Sequence, residues 1–190
     1  AAFLVGVFGI LFGFESKAIV DGTYALPGLP FTASITFDNA AQTYTINITG
    51  STTSGYHGLG FASSSAGQMG GKYAMYMSNV ASNFVLSEQT LIDWNLGTTL
   101  TAQAAVNSQN FATGDISISR AYTSTNGGFS FTTADTQLHY IGASGVTPGS
   151  YHGGVARHKG VINIHPAPPC NDPDVPTLSS VFGSICPGAS

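Results

Sequence analysis

Apolar and polar residues alternate over short stretches of this chain, and this alternation restricts the possible folds more than any other feature. From Phe31 to Phe37 every second residue is apolar, and residues 43–49 repeat the pattern. A period of two places the apolar side chains on one face of a β-strand. The sequence therefore predicts two neighbouring strands, each with one face against a core.

Segments of similar composition continue to about residue 165, separated by turn-forming Gly, Asn, Asp and Ser. No convincing amphipathic helix interrupts them. The further strand segments are 56–62, 72–78, 83–97, 100–108, 114–124, 136–145 and 159–166, with 83–97 predicted to form two short strands around Ser87 and Glu88. Many short strands joined by frequent turns predict an all-β fold, an antiparallel immunoglobulin-like β-sandwich of about nine to eleven strands.

The two ends differ from this central region, so we divide the chain into an apolar N-terminal arm (1–21), a sandwich (22–165) and an irregular proline-rich tail (166–190). Residues 1–14 carry no charge, and they are fewer than the roughly 20 apolar residues that span a bilayer. Three interpretations stay open for the arm: burial in its own domain, self-assembly by burial in a neighbouring subunit, or a remnant leader or membrane anchor.

Cys170 and Cys186 in the tail are expected to form a disulfide, with two free thiols as the alternative.

Charge is sparse, and this limits the partners and the location. Only 7% of residues are charged, and the net charge is −4 with five Lys and Arg in total. A nucleic-acid-binding chain needs a basic surface, so this class is excluded. Low charge with abundant Gly, Ser and Thr is typical of extracellular or cell-surface proteins, where the tripeptide Asn47-Ile48-Thr49 would be a candidate glycan acceptor.

Motifs for common catalytic and metal sites are missing from the sequence. There is no HExxH, paired CxxC, EF-hand or GxSxG motif, and most carboxylates fall in turn segments. We therefore expect no catalytic residues, and the chain is less suited to a catalyst than to an electron-transfer protein.

Several stretches resemble parts of a DOMON domain, among them the early strand pair 31–38 and 43–50 and the late apolar strand 136–145. Residues 56–77 combine an aromatic-x-GxGF strand with a glycine-rich turn that carries Met69, and 114–124 resembles the strand that carries the family's arginine, here Arg120. Residues 151–164 resemble the family's histidine loop and final strand. Residues 22–165 are thus similar to cytochrome-type DOMON domains, such as the haem b domain of cellobiose dehydrogenase and related plant cytochromes.

The resemblance implies a noncovalent haem b with Met69 and His152 as axial ligands, His158 being the alternative histidine. Met/His ligation suits electron transfer, because both axial positions are filled. The side chains expected to line the haem are Tyr56, Phe61, Tyr73 and Tyr151. The electrons would pass to or from a redox partner protein or a neighbouring subunit.

Two alternatives to a haem protein stay open. The apolar arm would suit a structural or adhesive subunit of an extracellular filament. A non-haem carbohydrate-binding DOMON module would need exposed aromatic rings on one sheet face, for which Trp94, Tyr122 and Tyr76 are the candidates.

Overall fold

The computed structural model describes residues 19–50, 55–62, 72–92, 95–132, 135–146 and 157–164, with only the backbone for Asn95 and Arg157. These residues form two antiparallel sheets that pack as a sandwich, which confirms the predicted fold class. The eleven strands of this described part are β1 (Gly22–Ala25), β2 (Thr32–Asp38), β3 (Thr43–Thr49), β4 (Tyr56–Ala62), β5 (Tyr73–Val80), β6 (Asn83–Ile92), β7 (Asn95–Thr99), β8 (Ala105–Asn110), β9 (Asp115–Ala121), β10 (Gln137–Gly145) and β11 (Arg157–Asn163).

The two sheets enclose one apolar core. The five-stranded sheet has the order β1-β2-β3-β9-β8, and the six-stranded sheet has the order β11-β10-β4-β5-β6-β7. The residues that the alternation placed inside are buried: Phe31, Ala33, Ile35 and Phe37 lead into and along β2, Tyr44, Ile46 and Ile48 lie on β3, and Ile116 and Ile118 lie on β9. Opposite them, the six-stranded sheet contributes Leu59, Phe61, Met75, Met77, Leu138 and Tyr140.

The predicted break at Ser87 and Glu88 is wrong. Strand β6 continues through both residues, which pair with Tyr76 and Met75 of β5. Glu88 looked like a turn residue because a carboxylate is rarely buried. In the fold it lies inside the sandwich, where the charge is paired.

The first and last described residues lie side by side. Ile19 is buried in the core, and the Val20 N–H donates a hydrogen bond of 3.0 Å to the Ile164 carbonyl. The Asn39 side-chain amide also donates to the Ile19 carbonyl. Ile19 and Ile164 therefore lie on the same side of the sandwich, which carries β1 and β11.

Candidate functional site

Four of the residues predicted for the haem site lie within the described part of the chain, and Met69, Tyr151 and His152 lie outside it. Tyr56, Phe61 and Tyr73 are all buried, at 5%, 1% and 4% exposure. They do not share a face. Phe61 and Tyr73 belong to the core between the sheets, whereas Tyr56 has the opposite parity on β4 and lies on the outer face. One flat group cannot contact all three, so the predicted lining needs correction: Tyr56 stands apart from Phe61 and Tyr73.

His158 is exposed at the start of the edge strand β11. It pairs with Gly142, and directly opposed residues in a sheet project to the same face. That face is the core face. Residues two apart on a strand project to the same side, and Gly142 lies two positions after the core residue Tyr140 on β10. His158 and Tyr56 therefore lie on opposite faces of the six-stranded sheet.

The central part of the outer face of the six-stranded sheet is mostly apolar and buried. Five residues are buried without belonging to the core cluster, namely Tyr56, Ala74, Tyr76, Leu91 and Ala143. The rings of Tyr56 and Tyr76 lie 5.1 Å apart with an interplanar angle of 31°. A Cβ on Gly145 would lie 2.6 Å from the Tyr56 ring, so this glycine allows the ring to pack against β10. We call this surface the aromatic face.

The loops that carry the two predicted axial ligands begin at opposite ends of this face. Residues 63–71 connect β4 to β5, and residues 147–156 connect β10 to β11. The register places Tyr73 opposite Phe61, and Arg157 opposite Ala143, which in turn pairs with Gly58. From strand rise and spacing, Tyr73 and Arg157 are about 17 Å apart.

Both ligand residues can reach the aromatic face from these anchor points. Met69 precedes Tyr73 by four residues, and His152 precedes Arg157 by five. At roughly 3.4 Å per residue, the segment from Met69 to Tyr73 spans up to about 13 Å and the segment from His152 to Arg157 up to about 17 Å. Their sum exceeds the distance of about 17 Å between Tyr73 and Arg157. The two segments are therefore long enough for Met69 and His152 to meet over the aromatic face.

Two further side chains project from the same face of the sheet. His139 is half-buried and pairs with Ala62, and Lys159 is exposed and pairs with Ile141. Sequence reasoning gave His139 no role. Its alternation with Leu138 and Tyr140, which are core residues, was the signal that placed it on the outer face.

A charged pair connects the two sheets inside the core. Glu88 on β6 and Arg120 on β9 are 1% and 2% exposed, and Arg120 Nε donates to Glu88 Oε1 at 2.7 Å. The Tyr73 hydroxyl donates to the same oxygen at 2.6 Å, and the Arg120 guanidinium lies 5.0 Å from the centre of the Tyr73 ring. Sequence reasoning matched Arg120 to a family position and did not predict its partner.

Backbone groups complete the hydrogen bonding of this pair. Glu88 Oε2 accepts hydrogen bonds from the backbone N–H groups of Gln103 and Ala104. Arg120 donates to the Phe129 carbonyl at 2.9 Å and, at 3.1 Å each, to the side-chain oxygens of Gln103 and Asn126. The network thus fixes the segments around residues 103 and 126–129 against both sheets.

The surroundings shift the pKa values of these groups. Burial would raise the pKa of Glu88, but hydrogen bonds from Tyr73, Gln103, Ala104 and Arg120 outweigh it, and the pKa is lowered. Burial raises the pKa of Tyr73, and the negative charge on Glu88 adds to the increase. The pair is therefore ionised and Tyr73 is neutral at ordinary pH. Because Glu88, Arg120 and Tyr73 are all buried, the network acts as a structural link between the sheets.

The outer face of the five-stranded sheet is polar. The residues that point outward are almost all short and uncharged, namely Thr23, Ser34, Thr36, Thr45, Asn47, Ser117 and Ser119. The hydroxyls of Thr23 and Thr36 are 2.8 Å apart, and Ser119 donates to Asn107 Oδ1 at 2.8 Å. Asn47, the predicted glycan acceptor, lies half-buried on the central strand β3 of this face.

The aromatic residues considered for carbohydrate binding are not exposed where they are described. Tyr122 is 2% exposed and lies in the core, and Tyr76 is 8% exposed on the aromatic face. Trp94 lies outside the described residues. Tyr122 thus offers no open ring to a sugar, and a ligand could contact the Tyr76 ring only in place of what covers it.

The described segments contain no group of three or more His, Cys, Asp or Glu side chains that could hold a metal ion. Within the same segments, no helix is long and apolar enough to cross a membrane.

No protein-family model and no curated protein matches this sequence.

Proposed function

We propose that this chain is an extracellular haem b electron-transfer domain in which Met69 and His152 ligate the iron over the aromatic face. The observation that carries this proposal is the buried apolar surface on the side of the sheet away from the core, flanked by the anchor points of the Met69 and His152 loops. A protein sheet that packs on one core needs only one apolar face. The second one favours a large apolar ligand or a covering segment.

The chemistry of the surface fits a porphyrin. Ligand pockets are mainly apolar and aromatic with a few polar groups, and the aromatic face offers Tyr56 and Tyr76 beside small residues at Gly58, Ala74 and Ala143. Lys159 provides a positive charge on the same face for a carboxylate substituent. When bound, haem with methionine and imidazole ligands supplies reversible one-electron transfer.

The residues of the chain have distinct tasks in this proposal. Met69 and His152 would hold the iron, while Tyr56 and Tyr76 would form part of the apolar wall that keeps water from the haem. Phe61 and Tyr73 lie behind the sheet and support it from the core. His158 projects to the core face, so His152 is the better candidate for the imidazole ligand.

Haem titration of the full chain tests the proposal. We expect a Soret band at one haem per chain, with the visible spectrum of a six-coordinate low-spin haem in both oxidation states. Met69→Leu and His152→Ala should each remove one ligand and give a five-coordinate spectrum. Met75→Leu is the matched control, because Met75 is 0% exposed in the core.

Three results would contradict the assignment. Lack of stoichiometric haem binding would exclude the haem function. An unchanged spectrum in Met69→Leu would exclude that ligand. If His158→Ala or His139→Ala gave the five-coordinate spectrum and His152→Ala did not, the imidazole would come from the sheet and not from the loop.

The extracellular location is proposed from the low charge and the expected Cys170–Cys186 disulfide. The electron acceptor or donor would be a partner protein or a neighbouring subunit. Mass spectrometry of the purified chain, with and without reductant, should show a loss of two hydrogens in the non-reduced form.

A further inference from the structure

The two lateral sides of the sandwich differ in the chemistry of their edge strands. One side carries β1 and β11, and β11 contains Arg157, His158 and Lys159. The other side carries β7 and β8, which contain no charged residue and no proline. Phe84 N–H of β6 donates to Gln109 Oε1 of β8 at 2.8 Å, which places β8 beside β6, the neighbour of β7. Natural edge strands are usually protected by charge or proline, and the β7/β8 side lacks both.

Strand β8 is open to an additional strand. All six of its residues are exposed, and among the described strands it pairs with β9 alone. Its only irregularity is a register shift between Val106 and Ser108. An exposed strand edge presents unpaired N–H and C=O groups and accepts a peptide by β-augmentation.

The core is also incompletely covered on this side. Leu86, Leu100, Ala104 and Phe111 pack against the core but are only partly buried, and Val106 is 37% exposed. The rings of Phe84 and Phe111 lie 5.4 Å apart at this border. A strand added to β8 would therefore gain apolar contacts as well as backbone hydrogen bonds.

We propose that residues 1–14 of a second copy of this chain add as a strand to the free edge of β8. This segment is uncharged and almost wholly apolar, so its side chains suit the partly covered border of the core. It is also longer than the six residues of β8. Pairing along β8 would need only part of its length.

The position of Ile19 favours a second copy over the same copy as the donor. Ile19 and Val20 lie on the β1/β11 side, and four strand spacings of the five-stranded sheet, about 19 Å, separate that side from β8. The five residue steps from Ile19 back to Phe14 reach about 18 Å at most, so in the same copy only the earlier residues of the segment could pair with β8, and the apolar residues nearest Phe14 would have to cross the surface unpaired. In a second copy the whole segment is free to lie along the edge, because Ile19, to which it is connected, and β8 lie on opposite sides of one molecule. A contact between two different surfaces of identical subunits forms an open filament, unless the rotation from one subunit to the next closes the assembly into a ring.

Two full-length variants separate the donor from the acceptor. Val5→Lys/Phe8→Lys places a charge on each face of any strand formed by the arm, which removes the donor. Val106→Lys places a charge at the acceptor edge. Val161→Lys is the matched control, because Val161 is also an exposed valine on an edge strand, but on the β11 side.

The expected outcome is measured by sedimentation velocity and electron microscopy in the haem-free chain. Wild type and Val161→Lys should form linear assemblies, whereas each of the other variants alone should be monomeric at a tenfold higher concentration. Mixed together, the donor-deficient and acceptor-deficient variants should give a 1:1 heterodimer and nothing longer, because only one pairing remains.

A monomeric wild type, or assembly of Val106→Lys equal to that of wild type, would overturn the proposal, as would a mixture that forms no heterodimer. Circular dichroism must show that Val106→Lys is folded, and Ser108→Lys replaces it if it is not. The assembly experiment measures particle size in the absence of haem. A negative result would therefore not contradict the haem proposal, which is tested separately by absorption spectra.

Discussion

The two sheets share one core but differ on their outer faces. The five-stranded sheet shows short polar side chains such as Thr36, Thr45 and Ser117 on its outside. The six-stranded sheet is apolar on both faces around β4 and β5, and five consecutive residues of β5, from Tyr73 to Met77, are buried. A strand whose apolar and polar residues alternate packs against an apolar layer on one face only, whereas a strand that is buried on both faces needs an apolar layer on each side. The difference indicates that the six-stranded sheet provides a second apolar contact surface besides the core.

The Glu88–Arg120 ion pair joins these unlike sheets inside the core, so its removal should have the largest effect. Arg120→Leu leaves the Glu88 carboxylate buried without its counter-ion and should reduce the free energy of unfolding by about 3–5 kcal/mol in denaturant titrations. The double variant Arg120→Leu/Glu88→Leu should recover most of this loss, because neither charge remains. A cost below about 1 kcal/mol for the single variant would show that water reaches Glu88 in solution.

Truncation on the aromatic face tests whether that face is buried as firmly as the core. Tyr76 is 8% exposed and stacks on Tyr56. Tyr76→Ala should reduce the free energy of unfolding by about 3 kcal/mol, close to the value for aromatic truncation in a core. The measurement is chemical denaturation of the haem-free chain. If the variant is as stable as wild type, the six-stranded sheet has only one packed face.

Acid should weaken the link between the sheets before it affects the outer faces. The pKa of Glu88 is lowered in the folded chain, so its carboxylate stabilises the fold above the unfolded pKa of about 4.3. This contribution is lost as the pH falls from there through the folded pKa. Denaturation midpoints between pH 7 and pH 3 should decline more steeply in wild type than in Glu88→Gln. Equal slopes would mean that Glu88 has an ordinary pKa.

The polar face of the five-stranded sheet should give the smallest effect. Thr45 is half-buried on β3 and points away from the core. Thr45→Ala loses only strand propensity and cross-strand contacts, and we expect a loss below about 1 kcal/mol by the same denaturation assay. A loss equal to that of Tyr76→Ala would remove the contrast between the two outer faces.

Sequence reasoning succeeded where burial follows a local period. The alternation over residues 31–37 and 43–49 predicted the buried side of β2 and β3. It was wrong at Glu88, because one residue type cannot reveal a partner 32 positions away. It also grouped Tyr56 with Phe61 and Tyr73, although residues 56 and 61 have opposite parity on one strand.

The sequence by itself determined that this chain forms a sandwich of short antiparallel strands, because a period of two and frequent turns act over a few residues. The tertiary structure decided which charges meet in the core, which sheet is apolar on both faces and which edge is left open. These properties depend on strand order and register, which bring together residues that are distant along the chain.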